Sequence, residues 1–200
     1  MGGVISSIYR VILYMWRKPL YGDYHYSVVI RKPLYLTPRY IELEEGVFIF
    51  SHARIEGILK YNNHKFSPKI IFRKGSSVQQ NLHLTCAKSI IIGQNTAIAS
   101  NVTITDIHHP YTDIHIPIEK QDIEINPVEI GSDCKIYNNA VILPGSKIGK
   151  HVTVGANSVV SGIIPDYCVI VGAPAHIVRR YNFDTQRWER TNPDGSFIEK

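Results

Sequence analysis

The sequence predicts an all-β protein, a parallel β-helix wound from hexapeptide repeats, with a short N-terminal helix and one protruding loop. Three observations carry this. An aliphatic or aromatic residue returns every sixth position through Ile130, Ile136, Ile142, Ile148, Val154 and Val160, through Phe72, Val78 and Leu84, and through Ile92, Ile98 and Ile104. The residue after it is often small (Gly93, Ala99, Gly131, Gly149, Gly155). The residue four later is usually short or β-branched: Ser76, Thr96, Val102, Cys134, Ala140, Ser146, Val152 and Ser158. A helix repeats about every 3.6 residues and a strand every 2, so neither gives this step; three short faces per coil of about 18 residues do. Equivalent positions then stack about 4.7–4.9 Å apart, and the aliphatic column becomes the core.

Residues 1–40 are non-repetitive, and Pro19, Pro33 and Pro38 break any long helix there. Residues 4–18 are apolar with basic punctuation and read as a short amphipathic helix capping the open end of the coil. The same segment would suit contact with an anionic membrane surface. It lacks the charged start and small-residue cleavage site of a signal peptide. No run of about 20 apolar residues is present to cross a bilayer. Residues 1–6 match a myristoylation pattern and Asn101-Val102-Thr103 a glycosylation pattern, both short enough to arise by chance and set aside.

The coil is expected over residues 41–177, with a polar loop at 61–69 and a two-residue excess between Leu84 and Ile92. After Ile104 the period stops, and Ile130 comes 26 positions later. The polar, proline-containing stretch at about 107–127 is an inserted loop, and long loops on regular scaffolds disproportionately carry function. Residues 178–200 read as a polar tail with Trp188 as a docking anchor.

Two hundred residues, 44% apolar and 20% charged, are enough for one globular core. The formal charge of +5 is modest and spread out, which favours a phosphate-bearing small molecule or an anionic membrane over nucleic acid. Three widely spaced cysteines without a CxxC pair read as reduced thiols, hence a cytoplasmic setting, at the inner membrane face if the N-terminal segment touches lipid.

Of nine histidines, His108, His109 and His115 lie in or beside the long loop. Continuing the register from Ile104 puts His108 on the inward column and His109 next to it, facing out. An outward imidazole titrating near neutral pH suits proton abstraction from an alcohol. Termination of a coil by hydrogen bonding to the loop is the competing role.

The ordered motifs resemble the hexapeptide-repeat acyltransferases. They are Thr105-Asp106-Ile107-His108-His109-Pro110, Pro127-Val128-Glu129-Ile130-Gly131, Val141-Ile142-Leu143-Pro144-Gly145, Val154-Gly155-Ala156-Asn157-Ser158 and Val171-Gly172-Ala173-Pro174-Ala175-His176. The branch they are most similar to is the sugar O-acetyltransferases, including galactoside and maltose enzymes and those that decorate O-antigens and capsules. The resemblance covers about residues 41–190 and implies a left-handed coil, a homotrimer with active sites between subunits, acetyl-CoA as donor, a sugar or glycan acceptor and no metal. It places the catalytic base at His109 and a sugar-binding amide at Asn81. Acetyl-CoA contacts map to Asn138, Ala156, Ser161, Gly162, His176 and Arg179, with Arg180 beside them for the CoA phosphates. The oxyanion would meet a backbone N–H, that of Asn138 from a facing coil. The group orienting the imidazole is left open among Asp106, Asp113 and Glu129. Two departures stand out: Lys135 where relatives often carry Trp, and His176 where a basic residue is common. The alternatives are N-acetyl transfer to an amino or nucleotide sugar, a metal-dependent hydratase of the β-helix carbonic anhydrase kind using His83, His108 or His109, and His151, or an inactive scaffold.

Overall fold

The structure, a computed structural model, describes residues 11–198. Short strands alternate with tight corners, and every third strand stacks on the one a coil earlier, giving three parallel sheets. The first holds Asp23–Tyr24, Ile41–Leu43, Lys69–Phe72, Ser89–Ile92, Val128–Ile130, Lys147–Ile148 and Ile163–Ile164. The second runs from Val29–Ile30 through Ser77–Val78, Ala97–Ile98 and Lys135–Ile136 to Cys168–Gly172. The third runs from Tyr35–Leu36 through Arg54–Gly57, His83–Cys86 and Thr103–Thr105 to Val159–Val160. The hexad sets the register: Ile92 pairs with Ile130, Ile98 with Ile136 and Ile104 with Ile142. All of these, and the small residues four positions later, are buried in one continuous core.

The small residue after the aliphatic one also has a steric cause. A Cβ on Gly93 would come within 2.3 Å of the Gly131 backbone, and one on Gly131 within 2.6 Å of the Gly149 carbonyl. These glycines form a column in which successive coils approach backbone to backbone. A second column is polar. Asn81, Asn101, Asn139 and Asn157 all adopt positive φ at one corner. Their amides donate in turn, Asn81 to Asn101 at 2.9 Å, Asn101 to Asn139 at 3.1 Å and Asn139 to Asn157 at 3.0 Å. Asn tolerates the left-handed region, so the corner and the ladder select the same residue.

The coil starts earlier than residue 41: Asp23–Tyr24 pairs in parallel with Ile41–Leu43, and Tyr35–Leu36 with Arg54–Gly57. In this first turn the residue after the core position is large, His25 after Tyr24 and Arg31 after Ile30, which hid it. At the other end residues 178–200 are more than a polar tail. Ala175–Asn182 folds back antiparallel on Cys168–Gly172 and pairs with Arg187–Arg190, adding two strands to the second sheet. Trp188 does dock, stacked on His151 with ring centroids 6.2 Å apart.

Residues 11–17 are helical; the rest of the expected N-terminal segment, residues 1–10, lies outside the described residues. Tyr14 and Tyr21 pack against the core beneath the first coil, and Tyr21 lies 4.9 Å from the buried Tyr24 ring. Burial pushes the Tyr21 hydroxyl up to about 12. The helix therefore caps the end of the core while exposing Val11, Ile12, Met15 and Trp16. Among the described residues no helix is long and apolar enough to cross a membrane.

Candidate active site

Every break in the hexad falls on one edge of the prism, where the third sheet turns into the first. Between Arg54–Gly57 and Lys69–Phe72 the chain leaves the coil as a hairpin, Lys60–Tyr61 against His64–Lys65. One coil later the two-residue excess sits between Cys86 and Ser89. One coil further the long loop departs after Thr103–Thr105 and returns at Val128–Ile130. Its foot is closed by a two-stranded antiparallel ladder, Ile107 opposite Ile125 and His108 opposite Glu124.

Asp106 ties the excess to the loop. Its carboxylate is fully buried and accepts from the backbone N–H groups of Ala87 at 2.7 Å, Lys88 at 2.8 Å and Ser89 at 2.9 Å. The Cys86 thiol donates to the same carboxylate at 3.4 Å, and burial together with the Asp106 charge pushes that thiol well above its ordinary value. The added residues thus turn three consecutive N–H groups inward to hold one anion, a role the sequence reading missed.

The hairpin and the loop clasp each other above this corner. The Tyr61 hydroxyl donates to the Glu119 carbonyl at 2.6 Å and lies 3.3 Å from its carboxylate. Asn62 donates to the Lys120 carbonyl and to Asp122, and His64 meets Asp122 at 3.1 Å. The Asn62 amide, and then His64, hold the Asp122 carboxyl below its ordinary range. Inside the loop, buried Gln121 donates to the carbonyls of Asp113 and Ile116, both at 2.9 Å, filling the space that a small core would otherwise have to fill.

His109 stands in this clasp, half-buried, with Nδ1 3.4 Å from the Tyr61 hydroxyl and the two rings edge to face at 5.4 Å. His108 is exposed, not inward; the chain leaves the coil two residues before it, and Asp106 takes the buried place. None of the three carboxylates considered for orienting the imidazole touches it. Asp106 is committed to the Ala87–Ser89 corner, Asp113 caps the His115 N–H at 2.9 Å, and Glu129 lies on the outer face of the first sheet. The partner is Tyr61, which hexad spacing could not flag because its hairpin lies outside the repeat.

The other predicted positions divide between two edges. Ser161 and Gly162 lie on the same edge as His109, next to an open groove of about 550 Å3 lined by Ser89, Asn126, Glu129, Gly145 and Lys147. Asn126 is the foot of the loop: its N–H donates to the Asp106 carbonyl at 2.8 Å, and its own carbonyl accepts from Gly145 at 2.9 Å. Lys147 donates its N–H to the Gly162 carbonyl at 2.9 Å, so groove and corner are continuous. Space beside Gly162 is open: a Cβ there would meet nothing within 4 Å. Asn138 and Ala156 lie instead on the edge between second and third sheets, on adjacent coils, with the Asn157 N–H on the Asn138 carbonyl at 3.0 Å. His176 and Arg179 are exposed on the strand that folds back over the second sheet, opposite Val171 and Val169. Arg180 is occupied, donating to the Gly195 carbonyl at 3.2 Å. Asn81 heads the asparagine ladder, so its amide already has a structural partner. Lys135 removes the expected aromatic, but its ammonium sits 5.4 Å from the centroid of the half-exposed Tyr137 ring, which restores an aromatic surface there.

The metal alternative needs His83, His108 or His109, and His151 to converge. Among the described residues no group of three His, Cys, Asp or Glu side chains gathers, and His151 is stacked between Tyr167 and Trp188.

Residues 127–162 match the family model for bacterial transferase hexapeptide (six repeats). That stretch thus carries the repeat of the hexapeptide transferases. The chain is similar to WbbJ of Escherichia coli (strain K12), named as a lipopolysaccharide biosynthesis O-acetyl transferase. Identity there is 40% over 128 residues, covering 60% of this chain and 65% of WbbJ. It is 32% identical over 124 residues to the galactoside O-acetyltransferase of the same strain, covering 58% of this chain and 60% of that one. The chain thus spans less than two thirds of either relative. Among solved structures, the N-acyltransferase AntD of Bacillus cereus, in complex with dTDP and 3-hydroxybutyryl-CoA, superposes with a TM-score of 0.70 at 18% identity over 86% of this chain and 90% of AntD. The hexapeptide coil is accordingly a left-handed parallel β-helix.

Proposed function

We propose that this protein transfers the acetyl group of acetyl-CoA to a sugar hydroxyl, within the assembly of a surface polysaccharide such as O-antigen or capsule. The observation that carries the reading is His109, whose Nδ1 meets the Tyr61 hydroxyl on the same edge of the prism as the groove, while Nε2 has no hydrogen-bond partner among the described residues. Similarity to a lipopolysaccharide O-acetyl transferase and a galactoside O-acetyltransferase supports the acceptor class.

In this reading Nε2 of His109 takes the proton from the sugar hydroxyl as the oxygen attacks the thioester carbonyl carbon. The C–S bond breaks, CoA leaves as a thiolate, and the proton on Nε2 passes to sulfur. No covalent enzyme intermediate is needed, because a thiolate is a competent leaving group. The oxyanion formed in between meets a preorganised N–H, that of Asn138. The residues fit the donor: small, open corners at Ala156 and Ser161–Gly162 let a pantetheine arm lie flat, and exposed Arg179 offers a guanidinium to phosphate. Because Asn138 and Ala156 occupy one edge and His109, Ser161 and Gly162 another, a cleft shared by adjoining protomers of a homotrimer would unite them. Asn81 would bind the acceptor by its carbonyl oxygen or through water. The reaction belongs in the cytoplasm, consistent with three free, buried cysteines.

The test incubates purified protein with acetyl-CoA and a panel of neutral sugars, amino sugars and nucleotide sugars, reading thiol release and product mass. Ester formation on a hydroxyl supports the reading; an amide on an amino sugar would replace it with N-acetyl transfer.

A further inference from the structure

Tyr61 lies outside the repeats, on a hairpin the coil itself does not require, yet its hydroxyl is the group that meets the ring of His109. A phenol has one proton to donate and lone pairs to accept with. The Glu119 carbonyl can only accept, and it is the nearest partner at 2.6 Å, so the Tyr61 proton is spent there. The oxygen facing His109 at 3.4 Å is then an acceptor, which requires the proton of the neutral imidazole to sit on Nδ1. Such catalytic contacts are often long before substrate binds. The Glu119 carboxylate, 3.3 Å from the same hydroxyl, keeps negative charge near the ring.

We propose that Tyr61 is a positioning residue that, anchored on Glu119, fixes the tautomer of His109 so that Nε2 is the base. The assignment rests on the reaction proposed above only for its consequence, not for its geometry. During turnover the Nδ1–H bond to Tyr61 persists while Nε2 gains and loses the acceptor's proton, so the imidazolium keeps an oriented acceptor throughout. The hairpin–loop clasp has the same purpose: Asn62 and His64 hold Lys120 and Asp122, which follow the Glu119 that holds Tyr61. A ring that could flip or exchange tautomers would present a proton, rather than a lone pair, to the sugar for part of the time.

The experiment reads the tautomer directly. In uniformly 15N-labelled full-length protein, long-range proton–nitrogen correlation spectra distinguish a protonated from a bare ring nitrogen, and His109→Ala assigns the signals. At a pH where the imidazole is neutral, wild-type His109 should show a protonated Nδ1 and a bare Nε2. Tyr61→Phe should give a mixture or the opposite tautomer. In acetyl transfer Tyr61→Phe should lower kcat about tenfold or more with KM for acetyl-CoA unchanged, and shift the acid limb of the pH profile to lower pH. A proton on Nε2 in wild type, or an unchanged tautomer and kcat in Tyr61→Phe, would overturn the proposal. The wild-type spectrum decides it even if the variant does not fold. A protein with the expected tautomer that acetylates no sugar would discard the reaction and keep Tyr61; active protein with the opposite tautomer would discard Tyr61 alone.

Discussion

The Asp106 carboxylate accepts the backbone N–H of Ala87 at 2.7 Å, joining the corner before the long loop to the corner on which that loop stands. With Lys88 and Ser89 completing the set, one buried anion satisfies three consecutive donors that no neighbouring carbonyl reaches. Removing the carboxylate orphans all three, each at a desolvation cost of about 1–3 kcal/mol. Asp106→Ala should therefore lose about 3 kcal/mol or more of unfolding free energy, read as a lower urea midpoint with unchanged slope. It should also weaken turnover, because the His109 loop departs from this residue. A midpoint within error of wild type would show that the corner is held some other way.

His109→Ala should cost about 10²–10⁴-fold in kcat while acetyl-CoA binding, measured by calorimetry, stays near wild type. His108→Ala is the control. Its ring is exposed and meets Tyr111 rather than the clasp, so turnover should stay close to wild type. The reverse pattern, with His108 essential and His109 dispensable, would move the base by one residue.

What could be read from the sequence was whatever repeats. Ile130, Ile136 and Ile142 announced the core because the coil puts the same environment at the same position each time. Gly93, Gly131 and Gly149 announced the backbone contact for the same reason. The sequence singles out His109 by its place just beyond the last regular strand, Thr103–Thr105, and its role as base belongs to the proposal. Tyr61 and Glu119 were not: each belongs to an excursion of its own length, and only the folding of both at one edge brings them together. Asp106 was legible as a polar residue near His109 but not as a corner anchor, since the N–H groups it binds are contributed by backbone rather than by any recognisable side chain. The first coil stayed hidden because His25 and Arg31 follow the buried Tyr24 and Ile30, where Gly or Ala often follows the core residue in later coils.

Two glycine substitutions separate stability from binding. Gly131→Ala drives a Cβ to 2.6 Å from the Gly149 carbonyl and 2.9 Å from the Lys150 nitrogen, all backbone that cannot rotate away. It should cost about 2–3 kcal/mol, visible in thermal unfolding. Gly162→Ala meets open space but carries a φ of +76°, so the cost is strain of about 1 kcal/mol. If the pantetheine arm crosses that corner, Gly162→Ala should raise KM for acetyl-CoA several times more than Gly131→Ala does in protein that remains folded. Equal KM values would move the donor path elsewhere.

Alkaline pH tests the packing of the three thiols. Burial raises Cys86, Cys134 and Cys168 above their ordinary 9.0, and Tyr21 rises from 10.0 to about 12. Folded protein therefore keeps these protons to higher pH than the unfolded chain does. Their contribution is complete below about pH 9, and stability falls as the unfolded thiols ionise first, by up to about 1.4 kcal/mol per pH unit for each group. Urea unfolding between about pH 8 and pH 10.5 should show this decline, and Cys86→Ser should make it shallower. Over the same range iodoacetamide should label the thiols only as fast as the protein unfolds, because the thiolate is the nucleophile and the folded state withholds it. Labelling of folded protein at the rate of a free thiol, with stability flat across that window, would place at least one cysteine outside the core.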